Sequence, residues 1–318
     1  MSKWASFLVL ILTASISMSA EKRGGLVLQF DDGWSSWRTT IAPEVQKVGG
    51  VATCFVNNQN IKSGRITLED LLALQNTYQW EIGTHTWHHM DSPSYVKKNG
   101  LNQWESQELM KSITELRGLG LNIRSLVFPF NSFSPELVKL VQPLVESYRR
   151  SEILALADGI SSNKSVPGTA IDMAHYVPTE LLKEWIDIAA QQNTLLFIYG
   201  HRILPDSSFV TGKVVSATET TLTCEGPATL PSGTDLALVP DVTHRQVTSD
   251  FFKILKVEGN VITVDRSNLS LATHPGATFM IGESYSTQLS NFRTMLEYAS
   301  TRLNFYTLHD VAAGKWKK

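Results

Sequence analysis

From Gly25 to Gly200 short apolar runs alternate with segments whose apolar residues recur at helical spacing. The runs GLVLQF, VATCFV, WEIG, SLVFPF and TLLFIYG predict strands. Between them the pattern predicts helices over Trp37 to Val48, Thr67 to Tyr78, Gln103 to Leu119 and Pro178 to Gln192. Thr67 stands at an N-cap with Asp70 in the first turn. Ser134 caps a further helix, with Pro135 at its first position. Strands that are apolar throughout and separated by helices imply a parallel sheet buried on both faces. With this many units, a closed or nearly closed (β/α) barrel is expected rather than an open sheet.

After about Pro205 the helical period disappears. Six short alternating runs follow: GKVVSA, TTLTCEG, DLALVP, FFKILKV, NVITVDR and ATFMIG, with turn residues between them. They predict a small all-β module, a compact barrel or sandwich. Helical periodicity returns over Thr287 to Arg302, and Phe305, Tyr306 and Thr307 read as a last short strand. The expected organisation is α/β. Residues 21–205 and 284–318 form a barrel, interrupted near its C-terminus by the all-β module at 206–283.

Residues 1–20 stand apart. Lys3 precedes an apolar run from Phe7 to Ile16, and the small residues Ser17, Ser19 and Ala20 follow. This reads as a secretory signal cleaved near Ala20, so the protein is expected to be exported. The run falls short of the roughly 20 residues that span a bilayer, so no stable membrane span is expected after signal removal.

Composition narrows the partners. Lys and Arg number 28 against 30 Asp and Glu, a formal net charge of −2, so no basic excess exists to neutralise nucleic-acid phosphates. Hydrophobic residues at 42% and charged residues at 18% exclude wholesale disorder. Only Cys54 and Cys224 are present, which excludes a disulfide framework and a cysteine metal site. Cys54, inside VATCFV, reads as a buried thiol.

Four polar clusters each follow directly on a strand: Asp31-Asp32-Gly33-Trp34, His85-Thr86-Trp87-His88-His89, Pro129-Phe130-Asn131, and His201. In a parallel barrel the strand C-termini share the face that carries the active site, so these distant clusters converge. His85 and His89 are four apart; on a helical turn they would point the same way and share one metal, with His88 pointing elsewhere. Of two adjacent aspartates, one can ligate the cation while the other stays free as a base. One carboxylate and two histidines leave coordination positions open, as in catalytic rather than structural sites. The same set serves non-haem iron oxygenases. The spare aspartate and His201 favour hydrolysis, which needs a base and an acid.

On these residues the chain resembles the polysaccharide deacetylases of the NodB-homology family, carbohydrate esterase family four, over about residues 25–205 and 284–312. Phe30-Asp31-Asp32-Gly33 is similar to the first family motif, and His85 to His89 to the second, a His-Ser/Thr-x-x-His pattern. Ala52, Thr53, Phe55 and Val56 match the strand that links them. The resemblance implies a distorted (β/α) barrel with fewer units than eight. It implies Asp31 as catalytic base, and Asp32, His85 and His89 as ligands of a divalent metal, usually zinc. It implies His201 as the acid that protonates the leaving amine. Pro129 and Phe130 match the third motif, where the backbone N–H after the proline holds the oxyanion. The substrate implied is an N-acetylated polysaccharide or oligosaccharide. An O-acetyl esterase and a carbohydrate-binding protein on the same scaffold are the alternatives.

The pattern departs from the family in places. Where many members carry an arginine two residues before the proline, this chain has Val127; Arg124 lies farther back. The usual glycine two residues after the proline is Asn131, which tolerates a left-handed backbone. No Asp-x-x-Asp-Trp motif tunes His201. Asp172 is a candidate for that task, and otherwise a solvated turn carboxylate. His175 reads as structural, and His244 and His274 as turn residues outside the chemistry.

Overall fold

The computed structural model describes residues 22–175, 177–226, 228, 235–238, 251–267, 269 and 273–317. The signal-like residues 1–20 and His244 lie outside them. The strands in chain order are β1 (Gly25–Asp32), β2 (Ala52–Val56), β3 (Glu81–Thr84), β4 (Ser125–Val127), β5 (Ser147–Arg149), β6 (Leu156–Ala157), β7 (Ser165–Val166), β8 (Thr169–Ala170) and β9 (Leu195–Gly200). After them come β10 (Arg202–Leu204), β11 (Val210–Ala217), β12 (Thr221–Cys224), β13 (Asp235–Leu238), β14 (Phe251–Glu258), β15 (Val261–Val264), β16 (Thr278–Gly282), β17 (Ser286–Gln288) and β18 (Asn304–Phe305).

The large sheet runs β6-β9-β1-β2-β3-β4-β5-β7, with β8 added to β9 and β18 to β1. All its pairings are parallel except β6 with β9. Because β7 pairs with β5 and β8 with β9, the sheet curls into a nearly closed barrel. The gap lies between β7 and β8, which are joined by Pro167 and Gly168. β1 and β9 are buried along almost their whole length, as strands covered on both faces require. Helices pack outside around Leu28, Phe30, Trp37, Ile82, Trp104, Phe128 and Phe292, all buried.

Local chemistry accounts for several helix boundaries. Thr67 and Asp70 form a reciprocal capping box at Leu68–Asn76. Ser134 accepts from Leu137 N and Pro135 occupies N1 of Pro135–Val141. The predicted helix over Trp37 to Val48 is two pieces. Trp37–Ile41 makes a wide i→i+5 turn and Ala42–Lys47 continues it. Pro43 lacks the N–H that a regular turn would donate to residue 39. The predicted helix over Gln103 to Leu119 likewise carries a wide turn at Glu105–Met110, between Leu101–Trp104 and Lys111–Gly118.

The six runs after Pro205 form a closed antiparallel barrel, β11-β12-β15-β14-β13-β16. Its own core contains Val214, Leu222, Leu236, Phe252, Ile262, Phe279 and Ile281. β10, which leads into this barrel, and β17, which leads out, pair in parallel, so the chain leaves and rejoins the α/β unit at one place. A seam of Met173, Phe209, Ala237 and Met280 joins the two cores. Cys54 and Cys224 are buried free thiols, one in each core. No helix among the described residues is long and apolar enough to cross a membrane.

Candidate active site

The four clusters do meet. Asp31, Asp32, His85, His89, Phe130, Asn131 and His201 line one pocket of about 240 Å³ at the C-terminal ends of β1, β3, β4 and β9. Tyr199, Tyr285 and His175 share its wall. His175, read from sequence as structural, therefore sits at the pocket. His274 does not line it; it is exposed, with its ring nitrogen at the Pro275 carbonyl.

The two aspartates part because successive strand residues face opposite ways. Asp31 turns inward to Arg149, whose Nη1 donates to Oδ1 at 3.0 Å while Nη2 binds Oδ2. Arg149 closes β5 and is fully buried, with its guanidinium 3.7 Å from the Tyr199 ring centroid. Its stem passes Gly168, where a Cβ would come within 2.5 Å of Arg149 Cδ. Burial pushes the Asp31 carboxyl up, but the Arg149 charge and hydrogen bonds, with His85 and His201, overcome this and lower it.

Asp32 leaves the strand with φ 82. Its carbonyl accepts from Asn57 Nδ2 at 3.1 Å and Asn60 Nδ2 at 2.7 Å, which pins that turn. Its Oδ1 then lies 3.1 Å from His89 Nε2 and 3.5 Å from His85 Nε2. The histidines do not converge on a helical turn, as expected from their spacing. Residues 85–89 are a loop with left-handed Thr86 (φ 62) and His89 (φ 58), and this reversal brings the rings to 4.7 Å. His88 does point elsewhere: its Nδ1 lies 2.6 Å from Glu108 Oε1, and its N–H donates to Glu108 Oε2. Glu108 is fully buried and sits in the wide turn of its helix. Trp87 Nε1 donates to Glu115 Oε2, tying the same loop down again.

The residues present fit a divalent cation. One oxygen and two nitrogens, from Asp32, His85 and His89, lie within 4.8 Å of one another. Asp32 Oδ1 is buried without a well-formed hydrogen bond. His85 Nδ1 is 2.7 Å from the Val127 carbonyl, which only accepts, so Nδ1 carries a proton and Nε2 is the nitrogen turned inward. A cation between Asp32 Oδ1 and an inward Nε2 would take the lone pairs of both. Ligands of a tetrahedral cation with bonds of about 2.0–2.1 Å stand roughly 3.3 Å apart, close to the Asp32–histidine spacings.

Opposite lies His201. Its Nδ1 is 2.6 Å from Asp172 Oδ2, and its N–H donates to Asp172 Oδ1. Trp37 Nε1 donates to the His201 carbonyl at 3.0 Å. Asp172 is fully buried, not a solvated turn residue. Burial pulls the imidazole down, yet Asp172, Asp31 and Asp32 raise it to about 9. The third cluster completes the wall. Pro129 is buried, and Phe130 (φ 59) and Asn131 (φ 51) are both left-handed. Of eight non-glycine residues with positive φ among those described, five lie in these loops, so backbone strain is concentrated at the pocket.

Residues 19–144 match the family described as polysaccharide deacetylase. This segment is related to the polysaccharide deacetylases. Among solved structures the chain is similar to a family 4 carbohydrate esterase from Streptomyces lividans in complex with acetate. The identity is 14% over 57% of this chain and 80% of that one, with a TM-score of 0.42. A Xyl-CE4 domain of a multidomain xylanase, from the hindgut metagenome of Trinervitermes trinervoides, is 18% identical. That match covers 56% of this chain and 74% of the other, with a TM-score of 0.37. A CE4 family pseudoenzyme from Bacillus anthracis is 14% identical over 56% of this chain and 55% of that one, also at 0.37. No curated protein matches the chain.

Sequence reasoning missed Arg149, Asn57, Asn60, Glu108 and Tyr285. The deacetylase-like match ends at residue 144, before Arg149, Asp172 and His201. No arginine stands two residues before Pro129, and a buried one, Arg149, lies one strand further on. Arg149 pairs across the sheet with Val127, the residue at the family's arginine position.

Proposed function

We propose that the protein is an exported, metal-dependent hydrolase that removes N-acetyl groups from a polysaccharide or oligosaccharide. The carrying observation is the convergence on one pocket of a metal-type triad, a carboxylate held by a buried arginine and a histidine held by a buried aspartate. Residues 1–20 support export, and residues 206–283 read as a module inserted beside the catalytic face.

Asp32, His85 and His89 would hold the cation, assigned as zinc because nitrogen and oxygen donors suit it and hydrolysis needs no redox change. When bound, it supplies a Lewis acid that polarises an acyl oxygen and eases ionisation of water. Asp31 accepts the proton of the attacking water, and Arg149 fixes the direction of its lone pairs. Water oxygen bonds to the acetamide carbon. His201, positively charged and held by Asp172 through Nδ1, gives its Nε2 proton to the departing nitrogen. The C–N bond breaks, leaving acetate and a free amine. The Phe130 N–H is assigned to the developing oxyanion, with Pro129 fixing the start of that turn. An acid so held suits an amide, whose nitrogen leaves only when protonated, more than an ester. The test is acetate release from N-acetylated oligosaccharides by wild type, Asp31→Asn and His201→Ala. Release that persists in both variants would exclude this chemistry.

A further inference from the structure

Beside the pocket three residues form a cluster that the hydrolytic step does not use. Trp34 is the second residue after Asp32, and Arg202 follows His201. The guanidinium carbons of Arg65 and Arg202 lie over the Trp34 ring, 4.2 and 4.3 Å from its centroid. The assembly is tied to the catalytic loops. Ser35 N donates to the Arg65 carbonyl at 3.0 Å, and Trp37 Nε1 to the His201 carbonyl.

Two cations gathered on one indole repel each other. The cluster supplies one carboxylate: Glu283, from the segment leaving the β barrel, pairs with Arg202 Nη2. Arg65 is exposed and has no ion pair among the described residues. Arg202 Nε is buried with no hydrogen-bond partner. Burial opposes the Arg202 charge, and Arg65 adds to that, against Asp172 and Asp32. Arg202 therefore has acidic neighbours, whereas Arg65 is left without an ion pair among the described residues. The cluster is a poor platform for a neutral sugar, because guanidinium groups lie over the indole. Bare rings line the pocket itself. Phe130 is 65% exposed beside His89, and Tyr285 is 51% exposed beside His201. Uncovered faces of that kind suit the neutral sugar that carries the acetamide.

We propose that Arg65 and Arg202, seated on Trp34, form a subsite for a carboxylate on the sugar next to the one deacetylated, so that the substrate is an acidic glycan. The planar fork of Arg65 matches a carboxylate, Arg202 adds its charge alongside, and the Ser35–Arg65 and Trp37–His201 hydrogen bonds fix the backbone that carries them. That this subsite serves deacetylation rests on the function proposed above; the presence of the subsite does not.

Binding to the full chain, by calorimetry, separates the two. The probes are an oligogalacturonate, a muramic acid-containing oligosaccharide and a neutral cello-oligosaccharide of equal length. Wild type should bind at least one acidic probe more tightly than the neutral one. That preference should shrink as salt is raised. The tighter acidic probe tells a ring carboxylate from an ether-borne one. Arg65→Gln should weaken the acidic probe by roughly tenfold or more, with no matching loss for the neutral probe. Arg65→Lys, which keeps the charge without the fork, should recover part of the loss. Equal affinity of wild type for acidic and neutral probes overturns the proposal. So does an equal loss for both in Arg65→Gln, which would mark the arginine as a prop for its loop. Acetate release is measured on the same proteins. Absent release with an intact acidic preference removes the deacetylase reading and leaves the subsite standing.

Discussion

Arg149 and Asp31, 118 residues apart in the chain, form an ion pair at the heart of the barrel, with the arginine fully buried. It joins the end of β5 to β1 and sets the direction of the carboxylate assigned as base. Breaking a buried pair strands a charge, at a cost of about 3–5 kcal/mol. Arg149→Met should therefore lower stability by that order in denaturant unfolding.

The same substitution should move the acid limb of the activity profile. Asp31 is lowered from its ordinary value, so its ionised form persists to acid pH, and its contribution to stability is lost as pH falls through that lowered value. Without Arg149 the carboxyl rises, and the acid limb of kcat/KM should shift upward. An acid limb in the same place would mean that Arg149 does not govern the base.

His201 predicts the opposite limb. Its folded value is raised to about 9, so the charged acid is present below that pH, and its pairing energy is fully present below about 6.5 and lost through about 9. Asp172→Asn removes the main raising influence. The basic limb should then move to lower pH, while metal content stays as in wild type. His201→Ala should cost roughly 10²–10⁴ in kcat. A pH profile unchanged by Asp172→Asn would detach that aspartate from the acid.

Tyr285 lies beside the His201 ring, with centroids 5.1 Å apart, at the point where the chain rejoins from the β barrel. Tyr285→Ala should raise KM for an oligosaccharide several-fold and change kcat less, with Tyr285→Phe close to wild type. A loss confined to kcat would make the ring a support for His201 instead.

Much of this site was legible because apolar runs ended in Asp31-Asp32, His85 to His89 and His201, and topology alone brings strand ends together. The six strands after Pro205 were equally legible, from alternation and turn residues. The stretch between Val141 and Thr179 was not. β5 to β8 are two or three residues long, too short to show a period, and Arg149 and Asp172 sit at or beside such strands. The convergence of His85 and His89 was foreseen by the wrong geometry. Four-residue spacing suggested a helical turn, whereas the structure uses left-handed residues held by Glu108 and Glu115. Asn57 and Asn60 act through a backbone carbonyl, which leaves no mark in a side-chain pattern.

Metal content can separate the two aspartates. Asp32→Asn should lose the cation, because its carboxylate is one of three converging donors, whereas Asp31→Asn should keep it while losing turnover. Equal metal loss in both variants, by elemental analysis, would reverse or merge their roles.

The central claim is that a cation held by Asp32, His85 and His89 is needed for acetate to leave a glycan. The most direct measurement is acetate release from an N-acetylated oligosaccharide by one preparation in three states: as purified, stripped with chelator, and reloaded with zinc, beside His85→Ala treated identically. The account predicts that stripping abolishes release, that zinc restores it in wild type, and that zinc restores nothing in His85→Ala. Undiminished release from the stripped protein, or full activity in reloaded His85→Ala, would contradict it.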